Sequence, residues 1–355
     1  MKITHIHIER FRGFQNEDFE VGSLLTAIAG QNGTQKSTLL GIITQTFTLK
    51  TEDSMRVEKP LCGGSYISAF KDKFRLSPTF DKPKGHEWTI SFDAGMDDFT
   101  VESIKRTGDP NVRFWKKGAR QEGDGYISFP TIFLSLKRLV PVAEEAKIIT
   151  DDTLLTQEEL NEFKQLHNKI LIAQTPISSA TTITSKNKQS IGVSTELYDW
   201  NQNSMGQDNL GKIILALFSF KRLHDKYPRQ YKGGILAIDE MDATMYPASQ
   251  VELLKVLRKY ASKLNLQILF TTHSMSLLKA MDDLVQEVTK KEETANQAKI
   301  LYLKKVDDKI AIKQGVNFKG IQLDLNVVAE GNNRKKNRIT AYTEDKENIL
   351  FVKAI

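Results

Sequence analysis

The chain has almost no cysteine. Cys62 is the single cysteine among 355 residues, so no disulfide can form within the chain. One cysteine cannot build a metal site by itself, and a lack of disulfides is typical of reducing compartments. Cys62 lies in a glycine-rich stretch with no evident base beside it, which predicts an inert thiol. We therefore expect a cytoplasmic protein.

Long apolar runs are also missing. No stretch approaches the ~20 consecutive apolar residues that a transmembrane helix needs. The N-terminal MKITHIHIERF contains no apolar signal core and already has the pattern of a folded segment. These absences predict a soluble protein with no membrane partner.

The overall composition is that of a globular protein. Hydrophobic residues make up 40% and charged residues 26% of the chain, a balance that supports a sizeable core. Its length predicts one large α/β domain with an inserted or appended lobe. The formal charge of +6 favours acidic partners, nucleotides or nucleic acid, but only weakly.

The first fifty residues show a strand, a second strand, a glycine-containing turn and a helix. The opening strand carries Ile3, Ile6 and Ile8, and the apolar run Leu24–Ala29 predicts a buried strand. The helix that follows has apolar residues at helical spacing, namely Leu39, Leu40, Ile42, Ile43 and Phe47.

The middle of the chain changes to a period of two. From about Glu87 to Leu136 apolar residues alternate between turn residues, which predicts an antiparallel meander. Thr156 and Glu159 have the spacing of a capping box, so a helix is predicted to begin there. The stretch Thr175–Thr195 is rich in Ser and Thr and predicts a mobile linker or surface loop.

Alternation of strands and helices returns in the second half. Ile235–Ile238 is a fully apolar strand, Pro247 begins a helix, and Gln267–Thr271 is the next strand. The segments Lys299–Leu303 and Lys309–Lys313 are predicted to form a hairpin.

The segment GQNGTQKST lies between the buried strand and the first helix. In a phosphate-binding loop, backbone N–H groups and a helix N-terminus face the phosphates. A lysine reaches the terminal phosphate oxygens and a hydroxyl ligates Mg²⁺, the roles predicted here for Lys36 and Ser37. An ordinary Gly-Asn turn between a strand and a helix is the alternative. The residues predicted to cradle the nucleotide are Gly30, Asn32, Gly33, Thr34, Gln35, Lys36, Ser37 and Thr38.

Gln35 departs from the usual pattern, in which a glycine precedes the lysine. A side chain at this position must tolerate the tight backbone geometry of the loop. The affinity for nucleotide therefore depends on how Gln35 is accommodated.

Two acids end the apolar strand Ile235–Ile238. Asp239 is predicted to hold Mg²⁺ through water, and Glu240 to polarise the attacking water. Strands often end in Asp or Glu, so this pattern is weak by itself. His273 follows the next strand and is a candidate for contact with the γ-phosphate, although a lone histidine is more often a surface or core residue.

The segment NSMGQDN places Ser204, Gly206 and Gln207 at the start of an apolar helix. Such a helix start binds anions, although in isolation it is merely an N-capped helix. The order along the chain is what distinguishes these alternatives. A phosphate loop, a Ser-x-Gly-Gln helix start, a strand with Asp-Glu and a strand with His follow each other as in ABC ATPases.

The chain resembles the ABC ATPases that are not transporters, namely the SMC/RecF-like group and the OLD-type ATPases of bacterial anti-phage defence. The resemblance rests on the motifs above and on ITHIHIERFRGF, DEMDATMYP and PTIFLSLKRLVPV (130–142), the last resembling a strand of the defence ATPases. It implies an α/β head with a mixed, largely parallel sheet around the phosphate loop, an antiparallel β-subdomain and a helical lobe. It also makes Arg12 a candidate phosphate contact and Asp242 a candidate contact across a dimer interface.

In this group two nucleotides lie between two heads, and the phosphate loop of one head faces the Ser-x-Gly-Gln segment of the other. The resemblance thus implies ATP and Mg²⁺ as cofactors and a homodimer or a higher oligomer. Lys36, Glu240 and His273 would be catalytic, and Ser37 and Asp239 would bind the metal. A long coiled coil does not fit between Thr38 and Ser204, so a compact head is expected.

We expect four segments along the chain. Residues 1–145 would form the N-terminal half of the head, 146–205 a helical lobe with the Ser/Thr-rich loop, and 206–325 the C-terminal half. Residues 326–355 would form a basic linker and a truncated start that resembles a TOPRIM nuclease domain, with Glu344 at the place of its first catalytic glutamate. The cluster of Arg334, Lys335, Lys336 and Arg338 is either a nucleic-acid contact or a solvated loop.

Three functions stay open at this point. The leading one is an ATPase that regulates or senses for an effector nuclease acting on nucleic acid in prokaryotic anti-phage defence. The second is a RecF-like or SMC-like ATPase of DNA repair or recombination. The third is a scaffold that binds ATP with little hydrolysis, because of Gln35.

Overall fold

The computed structural model describes residues 1–67, 70–93, 95–105, 112–119, 124–139, 147–151, 154–185 and 189–331. The chain divides into two units, Met1–Val316 and a second unit that begins at Asn317. The described part of the second unit contains one helix, Phe318–Gly331.

A mixed six-stranded sheet runs through the first unit. Its strands are β3 (Leu25–Gly30), β9 (Thr131–Leu134), β13 (Gly234–Ile238), β14 (Leu266–Thr271), β15 (Ala298–Val306) and β16 (Lys309–Lys313). Their order is β16-β15-β3-β14-β13-β9, and all neighbours are parallel except the hairpin β15–β16. β3, β13 and β14 are buried along their whole length, which explains their continuous apolar sequences. The strands predicted from those sequences and the predicted hairpin are confirmed.

An antiparallel sheet forms a β-subdomain beside the central sheet. Its strands are β1 (Ile3–Phe11), β2 (Phe14–Glu20), β5 (Glu87–Phe92), β6 (Phe99–Lys105) and β7 (Val112–Lys116). The order β2-β1-β5-β6-β7 places the opening strand next to β5. Strands that are far apart in the sequence therefore pair within the subdomain. Together the two sheets confirm the predicted fold class, an α/β head with a mixed sheet and an antiparallel β-subdomain.

The helices in the described part of the first unit are α1 (Lys36–Thr44), α2 (Phe70–Lys73), α3 (Gln157–Leu171), α4 (Met205–Lys226), α5 (Pro247–Lys263) and α6 (Met275–Val288). Capping boxes begin α3 at Thr156 and α4 at Ser204, and Pro247 is the first residue of α5. The predicted helix starts are therefore confirmed. None of these helices, nor the described helix of the second unit, has the length and apolar character to span a bilayer.

The β-subdomain is fixed to the central sheet by a buried glutamine. The Gln267 side chain donates to the carbonyls of Ile3 (2.8 Å) and Gly22 (3.0 Å) and accepts from the Ile3 N–H (2.7 Å). Apolar residues of both sheets and of α1 share one buried cluster. The turn between β1 and β2 lies close to the loop that follows β3, since a Cβ on Gly13 would be 2.8 Å from the Gln35 Nε2. The same turn is bound to β16, because the Ile310 N–H donates to the Gly13 carbonyl.

The stretch Thr175–Thr195 is not the predicted linker. It contains β11 (Ser179–Thr184) and β12 (Gln189–Ser194), which form an antiparallel sheet with β10 (Ile149–Asp151). β12 is almost entirely buried and packs on α4, where a Cβ on Gly211 would lie 2.7 Å from the Ile191 carbonyl oxygen. Gly211 allows that close approach because it has no side chain, and the composition of the stretch does not reveal the contact.

Two further predictions are wrong in detail. Phe47 does not continue α1 but belongs to β4 (Phe47–Thr48), which pairs in parallel with β8 (Ile127–Ser128). The meander predicted to extend to Leu136 ends earlier, because β9 pairs in parallel with β13 in the central sheet. The division into four segments stays a prediction, and the tail with Arg334, Lys335, Lys336, Arg338 and Glu344 lies outside the described residues.

Candidate functional site

The predicted functional residues follow neighbouring parallel strands of the central sheet. β14 lies between β3 and β13, and in the pairing register Thr271 is opposite Ile28 while Ile238 is opposite Phe270. The carboxyl ends of the three strands therefore meet at one edge of the sheet, the usual ligand-binding edge of α/β proteins. The phosphate loop, the acidic pair and His273 all lie at this edge.

The phosphate loop has the backbone that its glycines predict. Gly30 and Gly33 have positive φ angles of 150° and 80°, and a Cβ on Gly30 would lie 2.4 Å from the Leu303 carbonyl oxygen. α1 begins at Lys36, so its free N–H groups point into the loop. The Lys36 Nζ donates to the carbonyls of Gly30 (3.0 Å) and Gln31 (2.9 Å). Burial lowers the pKa of Lys36, against the opposing effect of the nearby acids, the largest being Glu240.

Gln35 adopts the left-handed conformation that explains why glycine is usual at this position. Its φ is 62°, a region that costs a non-glycine residue about 1 kcal/mol or more. Its side chain lies against the turn between β1 and β2, where a Cβ on Gly13 would lie 2.8 Å from the Gln35 Nε2. Among the described residues the Gln35 Oε1 is buried with no hydrogen-bond partner. The loop thus accommodates the side chain at the cost of backbone strain and one unsatisfied acceptor.

Asp239 is hydrogen-bonded to the phosphate-loop helix and to β14. Its Oδ1 accepts from the Ser37 Oγ (2.9 Å) and from the Thr271 Oγ1 (2.7 Å), and the Thr271 Oγ1 accepts from the Glu240 N–H (2.6 Å). No cluster of three or more His, Cys, Asp or Glu residues suited to a metal occurs in the described part of the chain. One hydroxyl and one carboxylate nevertheless fit Mg²⁺, because this ion usually takes its other ligands from phosphate and water.

Glu240 sits on a strained backbone that a buried arginine supports. Its φ is 50°, and its carbonyl accepts from the NH2 of Arg138 at 2.7 Å. Burial lowers the pKa of Arg138 to about 10, although the charges of the neighbouring acids, led by Asp239, oppose this shift. The Arg138 Nε also donates to the Asn209 Oδ1 at 2.7 Å.

Sequence reasoning missed Thr271, Arg138 and Asn209. Thr271 ends the strand before the predicted His273, so a hydroxyl at that strand end was a usable signal. Arg138 and Asn209 carry no such signal, because only the tertiary contacts bring them to the acidic pair.

His273 and Asp242 lie together beside the acidic pair. The backbone N–H of His273 donates to the Asp242 Oδ1 at 3.3 Å, and the residue is exposed. Partial desolvation and then the charge of Lys36 lower the pKa of His273, against the opposing effect of the three acids.

Ser204 and Gln207 form a capping box with each other at the start of α4. The Ser204 Oγ accepts from the Gln207 N–H (3.3 Å), and the Gln207 Oε1 accepts from the Ser204 N–H (2.9 Å). Gly206 lies against the loop after β13, where a Cβ would approach the Thr244 carbonyl oxygen to 2.5 Å. In the described part of the chain, no hydrogen bond joins Ser204, Gly206 or Gln207 to the phosphate loop.

Arg12 lies beside the phosphate-loop helix, but it forms an ion pair with Asp81, outside that helix. Its guanidinium donates to both carboxylate oxygens of Asp81 (3.1 and 3.0 Å), and its NH1 lies 3.5 Å from the Thr38 Oγ1. Burial would raise the pKa of Asp81, but the bonds from Arg12, the Ser77 N–H and His86 outweigh it and lower the pKa to about 2. The predicted phosphate contact of Arg12 stays a prediction, as do the roles of exposed Asn32 and buried Thr34.

The chain matches a known family model and resembles solved structures of low sequence identity. The family AAA_15, described as an AAA ATPase domain, matches residues 1–190 and residues 134–278. No curated protein matches the chain. An SMC head bound to the C-winged helix domain of ScpA is 14% identical with a TM-score of 0.52, over 91% of this chain and 100% of that chain. This likeness supports the fold alone.

Two other solved structures have lower TM-scores. The SMC head domain from Thermotoga maritima is 14% identical with a TM-score of 0.48, over 89% of this chain and 100% of that chain. The recombination mediator protein RecF is 11% identical with a TM-score of 0.44, over 88% of this chain and 98% of that chain.

Proposed function

Because the chain belongs to the AAA ATPase domain family AAA_15, we propose that it binds and hydrolyses ATP as an ABC-type ATPase that dimerises around the nucleotide. The observation that carries this proposal is the hydrogen bond from Ser37 to Asp239 beside the Lys36 ammonium group. It places a hydroxyl, a carboxylate and a lysine together at the N-terminus of α1. A nucleoside triphosphate with its metal requires this set of groups.

Each residue of the site has one task in this proposal. Lys36 leaves the carbonyls of Gly30 and Gln31 to bind the terminal phosphates, and the N–H groups of the loop and of α1 bind the others. Ser37 and Asp239 hold Mg²⁺, which supplies charge neutralisation between the phosphates. Glu240 orients the attacking water, and His273 contacts the γ-phosphate from the end of β14.

A second copy of the chain completes the site. Ser204, Gly206 and Gln207 form a helix start that binds anions and has no partner in the phosphate loop of its own chain, among the residues described. We propose that this helix start and Asp242 contact the nucleotide held by the other subunit. The dipole of the 22-residue helix α4 places a partial positive charge at this helix start, which favours an anion there.

ATP turnover tests the catalytic part of the proposal. The wild-type chain is expected to release phosphate in the presence of Mg²⁺, and Lys36→Ala is expected to abolish both binding and turnover. Glu240→Gln is expected to bind ATP and to accumulate an ATP-bound dimer, which light scattering measures. Equal, near-zero turnover of wild type and Glu240→Gln would instead favour a scaffold that binds ATP without hydrolysing it.

We further propose that the ATPase regulates or senses for an effector nuclease in prokaryotic anti-phage defence. Support comes from the sequence resemblance of PTIFLSLKRLVPV to the OLD-type ATPases, from the compact head and from the TOPRIM-like tail. DNA-stimulated turnover, a co-purifying nuclease and loss of protection against phage in Lys36→Ala would agree with this role. Turnover that responds to gapped or ended DNA without any toxic partner would favour a RecF-like repair function.

A further inference from the structure

Arg138 is an arginine buried in the protein core whose hydrogen bonds, within the described part of the chain, all go to uncharged groups. Its side chain is 2% exposed. Its bonds go to the carbonyls of Leu134, Ser135 and Glu240 and to the amide of Asn209, and among the described residues it forms no ion pair. A buried cation is costly unless its hydrogen-bonding groups are well satisfied, and here they are satisfied by these carbonyl and amide oxygens.

The guanidinium joins three elements that meet behind the candidate site. It donates to the Leu134 carbonyl at the end of β9 (3.3 Å) and to the Glu240 carbonyl in the loop after β13 (2.7 Å). It also donates to the Asn209 Oδ1 of α4 (2.7 Å). The Asn209 Nδ2 then donates to the Ala243 carbonyl at 3.0 Å. Arg138 and Asn209 therefore attach the beginning of α4 to both ends of the segment from Glu240 to Ala243.

This segment is held in a conformation that it would not adopt freely. Glu240 at its start and Thr244 directly after its end have positive φ angles of 50° and 67°. Strained backbone of this kind persists only where the surroundings determine it. Since Arg138 binds the carbonyl of Glu240, a displacement of the guanidinium is expected to shift the backbone that carries the Glu240 side chain.

We propose that Arg138 and Asn209 are positioning residues that couple the beginning of α4 to the Glu240 carboxylate. The inference rests on the proposed function, in which Ser204 at that helix start contacts the ATP bound by the other subunit. Contact of Ser204 with that ATP then sets the position of α4, and the bridge of Arg138 and Asn209 sets Glu240 in the same subunit. Each subunit thus becomes competent for hydrolysis when it engages the nucleotide of its partner.

Four variants of the full chain test the bridge. Arg138→Met removes the guanidinium from the bridge, and Asn209→Ala removes the amide. The double variant removes both groups. Arg138→Lys keeps the positive charge near Asp239, Glu240 and Asp242, but a single ammonium group cannot span Asn209 and Glu240. Arg229→Met removes an exposed arginine and serves as the control for loss of charge.

The variants are expected to lose kcat and cooperativity rather than ATP affinity. Arg138→Met, Asn209→Ala and Arg138→Lys should each lower kcat about tenfold to a hundredfold, as expected when a catalytic group is displaced. The Hill coefficient for ATP should fall towards one, and the KM should change by less than about threefold. The double variant should lose no more than the worse single variant, because both break the same bridge.

A measurement that needs no turnover completes the test. Hydrogen exchange of residues 240–244, with and without ATP, should show protection by ATP in wild type and in Arg229→Met but not in Asn209→Ala. Full kcat in Arg138→Lys, or losses that multiply in the double variant, would overturn the coupling. A wild-type chain that binds no ATP and forms no dimer would instead refute the proposed function.

Discussion

Ser37 donates a hydrogen bond of 2.9 Å from its Oγ to the Oδ1 of Asp239, a residue 202 positions later in the chain. The bond joins the first turn of α1 to the end of β13 and draws two predicted ligands of one ion together. Thr271 adds a second donor to the same carboxylate oxygen at 2.7 Å, so the position of Asp239 is set from both sides.

Asp239→Asn is expected to abolish ATP turnover while leaving the fold intact. The amide oxygen can still accept from Ser37 and Thr271, but it lacks the negative charge that Mg²⁺ requires. We expect kcat to fall more than about a hundredfold, with only a small change in the melting temperature. Phosphate release measured against MgCl₂ concentration checks this, and recovery of normal turnover at high Mg²⁺ would show that Asp239 affects affinity alone.

Gln35→Gly is expected to increase the affinity for ATP. Glycine keeps the left-handed conformation of the loop without its cost of about 1 kcal/mol, and it removes a buried acceptor that lacks a partner among the described residues. Titration with a fluorescent ATP analogue measures the change. Gln35→Ala is the matched control, because it keeps the Cβ in the strained backbone and removes the rest of the side chain, including the amide. If Gln35→Gly and Gln35→Ala bind equally, the backbone strain has no part in binding.

Gly206→Ala is expected to displace the start of α4 and to impair ATP-driven dimerisation. The new Cβ would lie 2.5 Å from the Thr244 carbonyl oxygen, and a backbone atom cannot give way as a flexible side chain can. We expect a loss of stability of about 1–3 kcal/mol and a larger loss of dimer. Denaturant unfolding of the nucleotide-free chain and light scattering with ATP separate the two effects. Normal dimerisation in this variant would exclude the helix start from the interface.

His167 is expected to make stability depend on pH between about 6.5 and 4. The ring is 2% exposed, and its Nε2 has no hydrogen-bond partner among the described residues. Burial lowers the pKa of His167 from 6.5 to about 4, so in this range the unfolded chain binds the proton and the folded chain does not. Its contribution is fully present above pH 6.5 and is lost as the pH falls towards 4, by up to about 3 kcal/mol.

His167→Leu should remove this part of the pH dependence. The free energy of unfolding of wild type and variant, measured in denaturant at several values between pH 4 and pH 7.5, provides the test. At pH 7 the variant should be at least as stable as wild type, because it buries no unsatisfied nitrogen. Parallel pH profiles for the two proteins would mean that another group titrates in this range.

Local sequence determined much of the fold and predicted the candidate site. The glycines of the phosphate loop, the capping residues Thr156 and Ser204, and Pro247 act on the backbone within a few residues, so their effects can be read from a short segment. The apolar runs of β3, β13 and β14 predicted buried strands because burial on both faces requires apolar side chains throughout. The order of the motifs was enough to predict an ATPase of this class.

Only the tertiary structure decided which distant residues complete the site. Thr271, Arg138 and Asn209 reach the acidic pair through strand register and through contacts between β9, α4 and the loop after β13. β12 is a strand because it pairs with β11 and because its buried Ile191 packs on Gly211 of α4, although its composition is that of a loop. Such contacts depend on the positions of elements far apart in the chain, and no local pattern of residue types records them.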